Sequence, residues 1–468
     1  MTRTVSSDLG ALRSNMQGTV LGGDDPGFDE ARSIWNGAID RRPAAIAKCR
    51  RAEDVAAALG FAAARDLEVS VRGGGHSFSG ASVGDGGMMI NLAEMNRVQV
   101  DPEAGRVLVG GGATMADMDA ATQEHGLAVT GGVISHTGVG GLTLGGGMGW
   151  LTHLLGLSID NLTGARVVLA DGRIVHADGT ENAELFWGLR GGGGNFGVVT
   201  EFEFRVHPVG PMVQFTMMFW PMDQGPDALR LGREFVPTLP ERAGLLFAVG
   251  LSAPPAPFVP EQYQLMPGYA LLVAGFDGPD EHAATVAPLR RTLPPLFEFT
   301  TTMPYTALQS LLDDSAPWGI HGYEKALDLD ELSDEVIAIV AEHAGRKASP
   351  LSFMPIFALD GAFCDVAEDA TAFGGRRTPH FVCNLAAVAP DAQLLELDRM
   401  WARRAWDALR PCAAECGGYV NFMAEPDEER TRASYGSKYG RLARIKAEYD
   451  PGNVFHRNVN IRPASTGQ

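Results

Sequence analysis

The 468-residue chain lacks the features that mark several common classes of protein. No stretch approaches 18 uninterrupted apolar residues, so we predict no membrane-spanning helix. Basic residues are scarce: 38 Lys and Arg stand against 57 Asp and Glu, and the net charge of −19 disfavours binding to nucleic acid or to anionic lipid. The first residues have no apolar core of a signal peptide, so we expect a cytoplasmic protein.

Cysteine is also scarce, and its spacing excludes further kinds of site. The five cysteines are far apart or unpaired and form no Cys-x-x-Cys motif: Cys49, Cys364, Cys383, Cys412 and Cys416. This pattern is not that of a disulfide framework or of a structural zinc site, and we predict no metal. A P-loop motif is absent. Residues 192–197 match G-x-G-x-x-G, but the sequence after them favours a strand and not a helix, so a Rossmann site is excluded.

Glycine, by contrast, is abundant, and its 58 copies gather in a few segments. The first segment follows a predicted strand, in which Leu67, Val69 and Val71 alternate with polar residues. Three consecutive glycines, 73–75, then precede His76. Such a run leaves backbone N–H groups free to face a large anion, and His76 places a nucleophilic imidazole beside it. Taken alone, this segment is better explained as an ordinary tight turn followed by a solvated histidine.

Two further glycine-rich segments cover residues 131–149 and 191–197. We expect the second of the three segments, residues 131–149, to be a wrapped loop without a stable helix, because glycine disfavours regular structure. Such loops direct N–H groups towards phosphate. His136 lies within this segment and His153 follows it, and we assign neither of them to the site.

The order of predicted elements indicates two kinds of architecture. The N-terminal part contains a β-α-β unit around a helix at 53–66 and two hairpins, one of them across Asp171-Gly172. After Pro208 the glycine clusters end, and strands alternate with helical stretches as in an antiparallel α+β domain. We therefore predict an α+β protein of two domains.

The three glycine segments, taken together, resemble those of the vanillyl-alcohol-oxidase superfamily, and within it the berberine-bridge-enzyme-like FAD-linked oxidases. The matching text covers nearly the whole chain and is long and ordered: 72–80 (RGGGHSFSG), 138–141 (GVGG), 145–147 (GGG), 156–161 (GLSIDN), 185–200 (LFWGLRGGGGNFGVVT), 435–436 (YG), Tyr439, 441–442 (RL), Lys446 and 449–453 (YDPGN).

This resemblance implies a PCMH-type FAD-binding domain of two α/β subdomains in residues 1–210. It also implies an antiparallel-sheet substrate domain in 211–424 and a tail, 425–468, that returns to the first domain. The residues expected to bind FAD are Arg72, Gly73, Gly74, Gly75, His76, Ser77, Gly80, Gly131, Thr137, Gly138, Gly140, Gly141, Leu142, Gly145, Gly146, Gly197, Val198, Val199, Asn458 and Asn460.

The resemblance further implies a covalent bond between the flavin 8α-methyl group and His76, which raises the redox potential and favours hydride abstraction. Some relatives carry a second bond through a cysteine four residues before the GVGG motif. That position is Ile134, and no cysteine lies between Cys49 and Cys364. We therefore expect a single covalent link.

Two further positions bear on the reaction. In the family, the residue before Gly138 lies beside the reactive edge of the flavin and governs access of oxygen, and the small Thr137 favours oxygen as acceptor.

Relatives often take a catalytic base from a Tyr-x-Asn-Tyr strand, which here reads Tyr419-Val-Asn-Phe422 and lacks the second tyrosine. We predict Tyr419 and Tyr323 as catalytic residues, the latter because Lys325 on the same strand face could lower its pKa.

The resemblance implies an oxidase that moves a hydride from an alcohol, amine or phenolic carbon to FAD and passes the electrons to O2. Two alternatives remain open at this stage. One is a flavin-dependent oxygenating or oxidatively cyclising enzyme of secondary metabolism, and the other is a protein that retains FAD without turnover. We expect small molecules and O2 as partners and make no prediction of the oligomeric state.

Overall fold

The protein is described by a computed structural model that covers residues 9–414 and 417–465. It has the two-domain α+β architecture that the sequence predicts. A mixed four-stranded sheet comes first, in the order β1-β2-β4-β3, and β2 and β3 both pair in parallel with β4. Its elements are α1 (Leu9–Asn15), β1 (Thr19–Gly22), α2 (Phe28–Arg32), β2 (Ala45–Lys48), α3 (Ala52–Ala63), β3 (Val69–Arg72) and β4 (Met88–Asn91).

The predicted β-α-β unit is confirmed as β2-α3-β3. The buried face of α3 includes Val55, Ala58, Leu59 and Ala62, which the helical period places on one stripe. The first glycine segment follows β3 directly, so the strand holds residues 73–76 at the edge of the sheet.

A second sheet has five antiparallel strands in the order β5-β6-β10-β8-β9. Both predicted hairpins are present, since β5 pairs with β6 and β8 pairs with β9. The elements of this part, including the short β7/β11 pair, are β5 (Val98–Asp101), β6 (Arg106–Gly110), α4 (Met115–Gln123), β7 (Leu127–Ala128), α5 (Val139–Leu144), α6 (Thr152–Leu155), β8 (Leu162–Val168), β9 (Ile174–Asp178), α7 (Ala183–Leu189), β10 (Val198–Arg205) and β11 (His207–Pro208).

The expectation that the second glycine segment contains no helix is wrong, because α5 lies within it. Val139 and Thr143 of this helix are buried, and the Val139 N–H donates to the Ala113 carbonyl at 2.9 Å. Tertiary packing therefore outweighs the poor helix propensity of Gly140 and Gly141. The segment therefore contains a short helix, Val139–Leu144, with loop residues on both sides of it.

The third large element is a seven-stranded antiparallel sheet in the order β15-β12-β14-β13-β17-β18-β16. One face packs against helices α8, α11 and α12, and the other face is turned towards residues 148–159 and the glycine segments. Its elements are β12 (Met212–Pro221), α8 (Gly225–Phe235), β13 (Ala243–Ser252), β14 (Pro267–Gly275), α9 (Pro279–Thr292), β15 (Phe297–Pro304), α10 (Tyr305–Gln309), β16 (His321–Leu329), α11 (Asp334–Ala344), β17 (Met354–Leu359), β18 (His380–Ala389) and α12 (Ala392–Leu409).

The chain then passes through α13 (Glu428–Tyr435) and α14 (Tyr439–Tyr449) and returns to the third glycine segment. The fully buried Lys446 connects α14 to the third glycine segment. Its Nζ pairs with Asp450 at 2.6 Å and donates to the carbonyls of Asn195 at 2.7 Å and Phe455 at 2.9 Å. A buried charge needs such partners. None of the described helices combines the length and the apolar character needed to cross a bilayer.

Candidate active site

A cavity of about 440 Å³ lies between the glycine segments and the seven-stranded sheet. Residues from all three glycine segments form part of its wall. The opposite wall comes from the inner face of the sheet, on strands β13, β16, β17 and β18: Leu246, Glu324, Pro355, Phe357, Asn384, Ala386 and Val388. The two domains thus enclose one continuous space.

Most of the residues that the sequence predicts to bind a cofactor line this cavity. They are Gly73, Gly74, Gly75, His76, Ser77, Thr137, Gly138, Gly140, Gly141, Leu142, Gly197, Val198, Val199 and Asn458. The side chain of Ile134, at the position of the cysteine in doubly linked relatives, faces the same space. The described cysteines, Cys49, Cys364, Cys383 and Cys412, are all free and lie outside the cavity wall.

Six of the predicted residues do not line the cavity, so direct contact with a cofactor is not supported for them: Arg72, Gly80, Gly131, Gly145, Gly146 and Asn460. Two of them, Gly145 and Gly146, instead make room for residues that do line it. An added Cβ at Gly145 would overlap Asn421, and one at Gly146 would press on Tyr419 and Phe373.

The first two glycine segments touch each other through their backbones. A Cβ added to Gly74 would overlap the backbone N and Cα of Gly138, and a Cβ on Gly138 would overlap Gly74. Gly75 has a φ of 75°, in the left-handed region that favours glycine. The glycines are therefore needed for a close approach of two loops, and this approach builds the floor of the cavity.

His76 lies in an aromatic setting at the wall of the cavity. Its ring stacks on Trp35 with centroids 4.9 Å apart, and its Nε2 forms a 2.6 Å hydrogen bond with Nδ1 of His136. Burial, with a smaller contribution from His136, lowers the pKa of His76 to about 3. The imidazole is thus neutral and nucleophilic at physiological pH. Sequence reasoning missed His136, whose position just before Thr137 was the available signal.

Five residues of the cavity wall carry a buried polar atom that has no partner in the described chain: Oγ of Ser82, Oδ1 of Asn384, Oη of Tyr435, Nε of Arg457 and Oδ1 of Asn458. Buried polar groups in proteins are nearly always hydrogen-bonded, so such atoms point to a ligand. Together with the glycine floor and the neutral His76, they fit a large polar cofactor such as FAD. No group of three or more His, Cys, Asp or Glu side chains placed to hold a metal ion occurs within residues 9–414 and 417–465.

Tyr419 lies in the cavity wall with its side chain buried. Its hydroxyl accepts hydrogen bonds from the Gly147 N–H and from Nδ2 of Asn421, each at 2.8 Å. Burial nevertheless raises the pKa of Tyr419 well above its ordinary value, so the phenol stays protonated. The predicted strand here is wrong: Val420–Phe422 form a 3-10 helix, and Asn421 and Phe422 both face the cavity.

The prediction that Tyr323 belongs to the site is not supported, because its side chain lies on the other face of the seven-stranded sheet. Its hydroxyl donates to Oε2 of Glu425 at 2.9 Å and accepts from Nε of Arg403 at 3.2 Å. Burial raises its pKa to about 12. Lys325 does share this face, but its ammonium lies over the ring of Trp406 and does not activate the phenol.

Glu324, the residue after Tyr323, lies at the cavity, where Tyr323 was predicted to lie. Glu324 is 1% exposed and lies on the cavity face of β16, where Nδ2 of Asn384 donates to its Oε2 at 3.0 Å. Burial raises the pKa of this carboxyl to about 8. Strand alternation was the signal, since a residue beside Tyr323 must face the opposite side. The sequence could not tell which face was the inner one.

Comparisons with known proteins agree with this geometry. A family model described as an FAD binding domain matches residues 43–178, and one described as berberine and berberine like matches residues 418–462. An FAD-linked oxidoreductase from Aspergillus terreus is 32% identical over 489 residues, which cover 98% of this chain and 96% of that protein. The (R)-6-hydroxynicotine oxidase of Paenarthrobacter nicotinovorans is 31% identical over 477 residues, which cover 98% of this chain and 99% of that protein.

A solved structure extends the likeness to the whole fold. The glucooligosaccharide oxidase of Acremonium strictum, which carries a 6-S-cysteinyl, 8α-N1-histidyl FAD, superposes with a TM-score of 0.85 at 25% identity. The match covers 99% of this chain and 100% of that chain. With full-length relatives above 30% identity and the cavity built by the glycine segments, this chain belongs to the berberine-bridge-enzyme-like family of FAD-linked oxidoreductases.

Proposed function

We propose that the protein is an oxidase that moves a hydride from an alcohol, amine or phenolic carbon of a small molecule to FAD and then passes the electrons to O2. The observation that carries this proposal is the single cavity in which the glycine segments and His76 face the inner side of the seven-stranded sheet. FAD supplies the hydride acceptor, and the protein holds the substrate against it and excludes water.

The lining of the cavity supports a place for FAD along the glycine segments. Gly73, Gly74 and Gly138 form the floor of the cavity, where backbone N–H groups would contact the cofactor. Ser82 and Asn458 each have a buried polar atom without a hydrogen-bond partner in the described chain. We assign the FAD domain to residues 1–210 with the tail 425–468, and the substrate domain to 211–424. The bonds between Lys446 and the third glycine segment support the return of the tail.

The flavin is attached, in this proposal, by one bond to His76. With Nε2 of His76 as the donor in its hydrogen bond to His136, Nδ1 is the attacking nitrogen, and the glucooligosaccharide oxidase carries an 8α-N1-histidyl link. A neutral imidazole with its proton on Nε2 has its lone pair on Nδ1. Ile134 in the cavity wall has no sulfur with which to form a second bond.

His136 should accelerate this attachment, because its Nδ1 can accept the Nε2 proton of His76 as the new bond forms. Replacing it by alanine, His136→Ala, removes the acceptor, and we expect attachment to slow by about 100-fold while FAD still binds. The measurement is the growth of flavin fluorescence in the denatured protein after FAD is added to apoprotein. His136→Asn, whose amide oxygen can accept the same bond, is the matched control and should be faster. Attachment at the wild-type rate in His136→Ala would contradict the role.

Tyr419 and Thr137 have separate roles in this proposal. Tyr419 keeps its proton and receives two hydrogen bonds, so it serves as an O–H donor that orients the substrate. Thr137 lines the cavity directly before Gly138 and leaves room for O2 beside the flavin.

The activity is tested by incubating the purified protein with a panel of small alcohols, amines and phenols and measuring O2 consumption and hydrogen peroxide together. We expect one peroxide released for each O2 consumed, with at least one substrate class. Labelled oxygen found in the product would indicate an oxygenating enzyme instead. An FAD-loaded protein that neither consumes O2 nor bleaches its flavin with any member of the panel would contradict the proposed oxidase.

A further inference from the structure

The inner face of the seven-stranded sheet carries two polar side chains, Glu324 and Asn384, in an otherwise apolar part of the cavity wall. Among the described residues that line the cavity, Glu324 is the sole aspartate or glutamate. It lies on β16 beside β18, and its recorded hydrogen bond comes from Nδ2 of Asn384. The other oxygen of that amide, Oδ1 of Asn384, is buried without a partner in the described chain. When Glu324 is ionised, its carboxylate and Oδ1 of Asn384 are both hydrogen-bond acceptors, and Nδ2 of Asn384 directs one of its two N–H groups to Glu324.

Among the described residues that line the cavity, Arg457 is the one lysine or arginine, and its guanidinium pairs with Glu68 at 2.7 Å. The neighbouring cavity-lining residues of the inner face are apolar: Leu246, Pro355, Phe357, Ala386 and Val388. Tyr419 is the titratable group near Glu324 across the cavity, and it stays neutral. The flanking residues Tyr323 and Lys325 point to the other face of the sheet, where they meet Glu425, Arg403 and Trp406.

We propose that Glu324 and Asn384 form a recognition site for a protonated organic amine carried on an apolar body. A protonated secondary amine brings two N–H donors and a positive charge, which match a carboxylate and an unpaired amide oxygen. An alcohol brings a single donor and no charge, and an anionic substrate would be repelled. This inference rests on the proposed oxidase function and narrows its substrate class.

The same carboxylate can prepare the amine for oxidation. Only a neutral amine has the lone pair that drives a hydride from the adjacent carbon. The Glu324 carboxylate takes the N–H proton of the bound ammonium and becomes a carboxylic acid, which leaves that lone pair on nitrogen. Bound FAD would accept the hydride with its two electrons from the adjacent carbon, which would leave the substrate as an iminium ion with a C=N double bond. O2 would then take up these two electrons, the hydrogen of the hydride and the proton held by Glu324, released through solvent, as hydrogen peroxide. The raised pKa of Glu324, about 8, brings the carboxyl closer to an amine in basicity.

The test compares binding of amine and alcohol pairs that share one carbon skeleton: benzyl, phenethyl and cyclohexylmethyl. We expect calorimetry on the FAD-loaded protein to show that the N-methylamine binds at least about tenfold more tightly than the alcohol in at least one pair, ~1.4 kcal/mol. Glu324→Gln should remove this preference, and Glu324→Asp, which keeps the charge, should retain part of it. Equal affinity within every pair, or an undiminished preference in Glu324→Gln, would overturn the proposal.

The pH dependence gives a second readout with a defined sign. A trimethylammonium form of the preferred skeleton cannot titrate, so its affinity should follow the ionisation of Glu324: weak at low pH, rising through about 8, then constant. Glu324→Gln should give a flat profile. Asp119→Asn is the matched control, because Asp119 is also a buried carboxylate with a raised pKa and an amide partner, Gln309, but lies outside the cavity wall. It should keep the wild-type profile. A flat or falling profile in the wild type would contradict the proposal.

These measurements separate the inference from the function on which it rests. Amines that bind through Glu324 but yield no peroxide would leave the recognition site intact and refute the oxidase. Peroxide formed from alcohols with no dependence on Glu324 would support the oxidase and refute amine recognition.

Discussion

His76→Ala should yield a protein whose flavin, where it is retained, is released completely on denaturation and is reduced by substrate about tenfold more slowly or worse, ~1.4 kcal/mol of lost transition-state stabilisation. The side chain is expected to supply the covalent bond, and that bond raises the redox potential of the flavin, so its loss makes hydride transfer less favourable. The measurements are flavin fluorescence in the denatured protein and anaerobic stopped-flow reduction.

His153→Ala is the appropriate control for this change. His153 flanks the same glycine-rich segment but lies outside the cavity wall, against Gly361. We expect it to keep both the covalent flavin and the rate of reduction. Covalent flavin in His76→Ala would place the bond on another residue, and an unchanged reduction rate would show that the bond does not tune the flavin.

Gly74→Ala should abolish incorporation of FAD. The added methyl group overlaps the backbone of Gly138, and backbone atoms cannot move aside as a side chain can. Overpacking of this kind costs about 1–3 kcal/mol or more, and relief requires that the two glycine segments separate. We expect a protein with a lower Tm and an almost colourless flavin spectrum.

Gly60→Ala provides the comparison, because Gly60 lies on an exposed turn of α3 with no atom within 4 Å of the added Cβ. Alanine in a helix interior is favoured over glycine by about 0.5–1 kcal/mol, so the Tm should stay the same or rise and the flavin content should not change. A fully flavinylated Gly74→Ala protein would show that the close contact of the two segments is not required for the cavity.

The sequence predicts the parts of the site that depend on backbone. Residues 73–75 and 138–141 stand out because glycine runs have few uses other than turns and close approaches, and both line the cavity. The stripe of α3 and the Asp171-Gly172 hairpin follow from helical period and turn chemistry, and both are present. Resemblance to a family supplied the fold and the cofactor, which composition alone could not.

The errors come from questions that local sequence does not answer. Alternation places Tyr323 and Glu324 on opposite faces of β16 but does not say which face looks inward; that depends on how the sheet packs against its helices. Helix α5 forms because Val139 packs into the core despite its glycine neighbours. His136 became relevant only when folding brought it against His76, 60 residues away in the chain.

The most direct test of the account is to digest the purified protein, separate the peptides under denaturing conditions, and identify by mass spectrometry every peptide that carries flavin. We expect one FAD per chain, on the peptide that contains His76 and joined through Nδ1 of its ring. Flavin on a different peptide, flavin attached at two positions, or flavin recovered entirely in free form would contradict a single covalent link at His76.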